Sequence, residues 1–262
     1  MVITGLGFTE VLTILVLVLL FFGSKELPHF IREAGRLFGR LRQYGDQVRR
    51  ELNEVSQSVD PKQALEDSTA DRKAKLRETF IAARTGLTSE QRAEYSTTIT
   101  HELMKLDEVR KARAVMVYLH TAEEVQTDML VTYLRAAEKR TIVPYCRTAS
   151  RDLGIAEVTN LGAQTTQGQY GIREPIPDVR DNFLKSDIQL VVCPGVAFDK
   201  LGGRLGRGKG YYDNFLREIS GRVPIIGLAY SCQISDEPFP FDYHDVPVTQ
   251  VITEKGPLIE RE

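Results

Sequence analysis

The stretch Leu190-Val-Val-Cys-Pro-Gly-Val-Ala-Phe-Asp-Lys-Leu-Gly-Gly-Arg-Leu-Gly-Arg-Gly-Lys-Gly-Tyr-Tyr-Asp213 decides the fold. Leu190 to Cys193 is a short apolar run closed by Pro194 and Gly195, the pattern of a buried strand. Tyr211 to Ile219 reads as a helix. Between them Gly202, Gly203, Gly206, Gly208 and Gly210 let the backbone fold closely and turn its amides inward. Lys200, Arg204, Arg207 and Lys209 add positive charge. A helix that starts directly after such a loop presents its N-terminal amides to an anion, so the loop reads as a phosphate cradle. Gly203, Gly208 and Lys209 satisfy G-x-x-x-x-G-K, but Gly210 stands where a P-loop needs a Ser or Thr hydroxyl for magnesium. The strand ending at Cys193 also lacks an acid, so a P-loop NTPase is not the expectation.

Outward from this segment, strands and helices alternate. Arg72 to Arg84 and Ser89 to Leu106 have helical periodicity, with Thr88 or Ser89 as the cap before Glu90-Gln91. Ala114 to Leu119, Thr141 to Pro144, Ile225 to Leu228 and Val248 to Ile252 read as strands, and Asp128 to Lys139 as a helix. The pattern predicts an α/β domain with a mainly parallel sheet and flanking helices, its ligand at the carboxyl ends of strands.

The averages over all 262 residues are those of a folded soluble protein, with 42% apolar and 27% charged side chains. Lys plus Arg is 34 against 36 Asp plus Glu, which excludes a strongly basic nucleic-acid binder. Cys146, Cys193 and Cys232 are odd in number and far apart, as expected of reduced thiols in a cytoplasmic compartment. His29, His101 and His120 have no ligand spacing with them, so no zinc site is expected.

The averages hide the N-terminus. Leu6 to Phe22 is a 17-residue apolar run, interrupted by Thr9, Glu10 and Thr13 and at the short limit for a bilayer span. No basic residue precedes it, which argues against a signal peptide. Lys25, Arg32, Arg36, Arg40, Arg42, Arg49 and Arg50 follow it, so the N-terminus is expected outside and the remainder in the cytoplasm. From about residue 28 to 55, apolar positions at helical spacing oppose an arginine face; this reads as an amphipathic helix on an anionic leaflet. Residues 56–71 read as a polar linker, leaving 72–262 as the second domain.

Both parts carry family resemblances. Gly7-Phe8-Thr9-Glu10, the apolar run, Phe22-Gly23-Ser24-Lys25-Glu26-Leu27-Pro28 and the amphipathic helix resemble a twin-arginine translocase subunit of the A/B type over residues 1 to about 55. Pro194 to Asp199, followed by Gly203-Arg-Leu-Gly-Arg-Gly-Lys-Gly-Tyr-Tyr-Asp213, closely resembles the 5-formyltetrahydrofolate cyclo-ligase family. Lys73 to Arg77, Leu87 to Arg92, Glu123 to Thr127, Tyr170-Gly-Ile-Arg-Glu-Pro175, His244-Asp-Val-Pro247 and Val251 to Glu254 fall in that family's order, covering about 72–258.

The second resemblance implies a cyclo-ligase-like α/β fold and an ATP-dependent ligase. Its substrate is 5-formyltetrahydrofolate, with or without a polyglutamate tail, and Mg2+ accompanies ATP. It implies ATP contacts at Lys73, Arg77, Gly203, Arg204, Leu205, Gly206, Arg207, Gly208, Lys209 and Gly210, with Arg207 and Lys209 catalytic. Glu124 is expected to hold the pterin, with Glu123 as a rival, and Tyr211 and Tyr212 to flank the folate. Asp213 and Asp245 are expected to ligate magnesium, a hard ion suited to carboxylates. The first resemblance implies membrane lipid as a partner, with translocase subunits or a second copy of the chain beside it. The alternative expectation is a translocase subunit whose second domain is degenerate or regulatory.

Overall fold

The structure is a computed structural model and describes residues 69–168, 171–240 and 242–258. The chain divides into two units, Met1–Glu66 and Asp67–Glu262, and the described residues belong to the second. The expected membrane span, the amphipathic helix and most of the linker lie outside the described residues. Among the described residues no helix is long and apolar enough to cross a membrane.

In chain order the elements are helices α1 (Thr69–Thr85), α2 (Ser89–Lys105) and α3 (Asp107–Lys111), strand β1 (Ala114–Val117), α4 (Asp128–Ala136), β2 (Arg140–Arg147) and β3 (Asp152–Glu157). There follow the single turn α5 (Leu161–Gln164), β4 (Thr165–Gln167), β5 (Arg173–Pro175), β6 (Leu190–Pro194), β7 (Ala197–Asp199) and β8 (Arg204–Leu205). The chain continues through α6 (Tyr211–Ile219), β9 (Ile225–Leu228), β10 (Ile234–Ser235), β11 (Gln250–Thr253) and β12 (Gly256–Pro257). α1 starts at Thr69, so the last three residues of the expected linker are helical. α2 opens on a capping box, with Thr88 Oγ1 accepting from Gln91 N and Gln91 Oε1 accepting from Thr88 N. The helix expected to reach Lys139 ends at Ala136; Glu138 takes a left-handed φ of 54° and turns the chain into β2.

Seven strands form the main sheet in the order β12-β11-β9-β6-β1-β2-β3. The five central ones, β11 to β2, are mutually parallel; β12 and β3 pair antiparallel at the two edges. Alternation in the strands sorts side chains between two layers. Val115, Val117, Leu190 and Val192 face α2 and α4, against Ile99, Leu103, Leu130 and Leu134. Met116, Val191 and Cys193 face the other way, against Phe215, Leu216 and Ile219 of α6. Each such fully buried aliphatic side chain contributes about 1.5–3 kcal/mol.

From β1 the chain adds β2 on one side, then returns to β1's other side with β6 and proceeds outward to β9 and β11. Strand order therefore reverses between β1 and β6. The crevice beyond their carboxyl ends is where such sheets bind ligands.

Candidate active site

A cavity of about 240 Å³ occupies that crevice. Tyr118, Leu119 and Glu124 enter it from the segment after β1, Pro144 to Cys146 from the end of β2, and Pro194 to Val196 from the end of β6. The glycine-rich loop contributes Arg204 and Gly206 to Asp213, and Leu153, Ile172 and Glu174 complete the lining.

The loop is built on a buried carboxylate. Asp199 is fully buried and accepts hydrogen bonds from the backbone N–H groups of Leu201, Gly203 and Phe239 at 2.7–2.9 Å. A Cβ at Gly203 would lie 2.2 Å from Asp199 Oδ2, so only glycine lets the chain close over this acid. β7 pairs with both β8 and β10, fixing the base of the loop. Gly203 and Leu205 are therefore buried beneath it and are not among the residues lining the cavity, whereas Gly206 to Gly210 are. Gly208 and Gly210 take positive φ values of 87° and 75°, conformations that side chains disfavour. Gly210 leads directly into α6.

Long-range contacts brace the loop. Arg77 on α1 donates from Nε to the Gly206 carbonyl at 2.8 Å, and its guanidinium packs on Gly208. Burial lowers the Arg77 pKa, against the pull of Asp245 and Asp213. Lys73, one helical turn before it, donates to Asp245 Oδ2 at 2.5 Å. These three side chains bound the loop from outside the cavity lining. Lys200 points away, paired with exposed Asp236 at 2.6 Å.

The four loop cations thus have different surroundings. Arg204 is buried, donates from Nη2 to Asp213 Oδ1 at 2.6 Å and lies 5.5 Å from the Tyr212 ring centroid. Burial opposes its charge, but Asp213, with Cys193 and Tyr212 nearby, leaves the pKa raised. Burial pushes the neighbouring Cys193 thiol up to about 12 and the Tyr212 phenol well above its usual range, so both are neutral. Arg207 is half-exposed and reaches across the crevice to Glu124 Oε1 at 2.9 Å. Lys209 also lines the cavity.

Glu124 is only 8% exposed. Its Oε2 accepts from Thr121 N at 3.0 Å, and its carbonyl accepts from the Tyr230 hydroxyl at 3.0 Å. Glu123 instead pairs with Arg84 at 3.0 Å and does not line the cavity. His120, beside them, accepts at Nδ1 from Thr127 N at 3.1 Å, and burial lowers its pKa. Tyr211, Tyr212 and Asp213 project from the first turn of α6 into the cavity.

Among the described residues no three His, Cys, Asp or Glu side chains group to hold a metal. Asp213 and Asp245 both act on Arg77, and the described hydrogen bonds use one oxygen of each, Oδ1 and Oδ2 respectively. Asp213 lines the cavity and Asp245 does not; each supplies the hard carboxylate oxygen that magnesium typically takes together with substrate phosphates and water.

Sequence reasoning missed Tyr145, Cys146 and Glu174 as lining residues. Glu174 is buried and its Oε1 accepts from Cys146 N at 3.2 Å, tying β5 to β2. Its only local signal is its place in Gly171-Ile-Arg-Glu-Pro175.

Fold and site define an α/β enzyme domain with a cationic, glycine-rich loop at a topological switch point. Residues 69–254 match the 5-formyltetrahydrofolate cyclo-ligase family, and the chain belongs to that family. It is 31% identical over 171 residues to the 5-formyltetrahydrofolate cyclo-ligase of Escherichia coli K12, spanning 65% of this chain and 93% of that one. The mouse enzyme of the same name is 28% identical over 179 residues, spanning 65% and 88%. The solved 5,10-methenyltetrahydrofolate synthetase of Aquifex aeolicus superposes with a TM-score of 0.62 at 32% identity, covering 72% of this chain and 94% of that one. The Mycoplasma pneumoniae synthetase shares the fold at a TM-score of 0.55 and 24% identity, covering 70% and 98%. Residues 4–51 match the mttA/Hcf106 family. The described domain is a cyclo-ligase enzyme.

Proposed function

We propose that residues 72–262 cyclise 5-formyltetrahydrofolate to 5,10-methenyltetrahydrofolate with ATP and Mg2+, releasing ADP and phosphate, on a chain anchored in the cytoplasmic membrane through residues 1–55. The observation that carries this reading is the meeting of a cationic glycine loop with a buried, backbone-fixed glutamate across one crevice. The formamide oxygen is a poor leaving group. It attacks the γ-phosphorus of ATP, the bond to ADP breaks, and an iminium phosphate forms. N10 of the folate then attacks the activated carbon, phosphate departs with its oxygen, and N10 gives up its proton. Phosphoryl transfer needs positioning and charge neutralisation more than covalent help from the protein.

In this reading Arg207, Lys209 and the amides of Gly206 to Gly210 hold the phosphates, with Lys73 and Arg77 behind them. Arg204 acts through Asp213, which it holds at 2.6 Å. Glu124 receives the N–H donors of the pterin, and Tyr211 and Tyr212 flank the ring system. Asp213 and Asp245 hold magnesium, which neutralises phosphate charge when bound with ATP. The decisive test is ultraviolet absorbance of the methenyl product with and without ATP. Folded protein that forms no product sinks the reading.

A second reading keeps a translocase role for the N-terminal segment, favoured by the match of residues 4–51. Complementation of a strain lacking twin-arginine A/B subunits tests it, and growth no better than the empty vector removes it.

A further inference from the structure

At the β2–β3 edge of the cavity stands Tyr145, a lining residue that the chemistry above leaves unused. Its ring lies against Gly154 of β3, where an added Cβ would fall 2.1 Å from the ring. Two guanidiniums flank it, Arg180 at 4.5 Å and Arg147 at 5.7 Å from the ring centroid. The Tyr145 hydroxyl donates to Asp181 Oδ2 at 2.6 Å, and Arg147 Nη2 donates to the other oxygen of that carboxylate. Asp181 does this from a left-handed φ of 59°, a conformation uncommon outside glycine and enriched at functional positions. Arg180 donates from Nε to the Pro175 carbonyl at 3.0 Å and stands 3.5 Å from Glu174 Oε2.

Both arginines are fixed yet not saturated. A guanidinium carries five N–H donors. The described contacts use Nε and Nη2 of each, Arg180 Nη2 only through its 3.5 Å ion pair with Glu174, and about a third or more of both side chains remains exposed. An ordered, part-exposed guanidinium fork beside an aromatic face is suited to a carboxylate that follows an aromatic group. The position also fits. β2 and β3 lie two and three strands from β6, which leads into the glycine loop. At strand spacing that is roughly 10–15 Å.

We propose that Arg147 and Arg180, ordered around Tyr145, form a subsite for the glutamate carboxylates at the tail of the substrate. The inference rests on the folate-cyclising reading. With the reacting formyl group at the glycine loop, the p-aminobenzoyl ring passes toward Tyr145 and the glutamate carboxylates meet the two guanidiniums.

The test uses the full-length chain, its R147Q, R147K and R180Q variants, and three substrates: the monoglutamate, the pentaglutamate and 5-formyltetrahydropteroate, which lacks glutamate. The expected result is a five-fold or greater rise in KM for both glutamate-bearing substrates in R147Q and R180Q, with kcat retained, recovery in R147K, and no change for the tail-less substrate. Equal changes for all three substrates would show a merely structural role and overturn the subsite, as would unchanged KM throughout. R147Q leaves the Glu174–Arg180 contact intact, so it decides the matter if R180Q fails to fold. Wild-type protein inactive on all three substrates removes the cyclising reading and the subsite together. Wild-type activity with no tail dependence in the variants removes the subsite alone.

Discussion

Arg207 Nη2 stands 2.9 Å from Glu124 Oε1, joining the glycine-rich loop to the segment after β1 across the crevice. One partner is half-exposed on a loop flanked by glycines; the other is buried and fixed by Thr121 N and Tyr230. In the proposed chemistry these two residues serve different ligands. A nucleotide that draws Arg207 away leaves a buried carboxylate unpaired until the folate supplies a donor. A folate that takes Glu124 likewise frees Arg207 for phosphate. Whichever ligand binds first breaks the pair, and the second binds without that cost.

Binding is therefore expected to be cooperative. The Kd of a non-hydrolysable ATP analogue should fall several-fold when 5-formyltetrahydrofolate is present, and the reciprocal factor should be equal. Calorimetric titrations in both orders measure it. In R207A both ligands should bind with Kd values independent of one another. A wild-type ratio of one contradicts the competing-pair account.

Asp213 has two duties that measurement can separate. It neutralises buried Arg204, and it is proposed to hold magnesium. Asp213→Ala leaves a buried guanidinium without its acid, which is expected to destabilise the fold by about 3–5 kcal/mol. It should also abolish turnover. R204M/D213L removes both charges together; it should recover stability in urea titrations while remaining inactive. Activity in the double variant would remove Asp213 from the chemistry.

The glycines of the loop should fail differently. Gly203→Ala drives a methyl into Asp199 and is expected to lower the unfolding midpoint sharply. Gly208→Ala places a methyl 3.3 Å from the Arg77 guanidinium at a φ of 87°. It should leave most of the fold standing and weaken ATP binding, read as Kd beside the urea midpoint. Gly210→Ala meets nothing within 4 Å, so only the roughly 1–2 kcal/mol of left-handed strain remains.

The buried neutral groups predict alkaline lability. Cys193 ionises near 9 in a solvated chain and near 12 in the fold. Between those values the unfolded state holds fewer protons than the folded one, so stability falls as pH rises. The loss is on the order of 1 kcal/mol per pH unit in that window. Tyr118 and Tyr212, also raised by burial, add to it at higher pH. Urea midpoints from pH 8 to 10.5 should decline, and C193A, though less stable at pH 8, should decline less steeply.

What the sequence made legible was local. β1, β6 and β9 are continuous apolar runs bounded by turn residues, and one 16-residue segment carries the loop, its cations and Asp213 together. What escaped depends on register. β3 reads poorly because Gly154 interrupts it, and that glycine is explained only by the Tyr145 ring opposite, in antiparallel pairing. β7, β8 and β10 are two or three residues each, too short for periodicity. Arg204 looked like one loop cation among four; its burial goes with a bond to Asp213 in the first turn of α6. The pairing of Lys73 with Asp245, 172 residues apart, has no local signature.

The N-terminal segment makes the last prediction, because composition and family match point the same way there. Leu6 to Phe22 holds one charged side chain, Glu10, and seven basic residues follow within residues 25–50. Residues 4–51 match the mttA/Hcf106 family. An acid at the bilayer centre costs about 2.5–3.5 kcal/mol, so if the run spans a bilayer, Glu10, fifth of its 17 residues, is expected toward the outer interface. The full chain is expected to stay in the membrane pellet after a carbonate wash, and a chain lacking residues 1–27 to appear in the supernatant. If the remaining arginine-rich segment binds only through charge, 0.5 M salt should strip the shortened chain from anionic vesicles, since surface attraction decays within a Debye length of a few ångströms. Release of the full chain by carbonate would refute a spanning helix and leave a peripheral attachment. Retention, together with unchanged turnover in the shortened chain, would establish that the anchor determines where the enzyme works and not how.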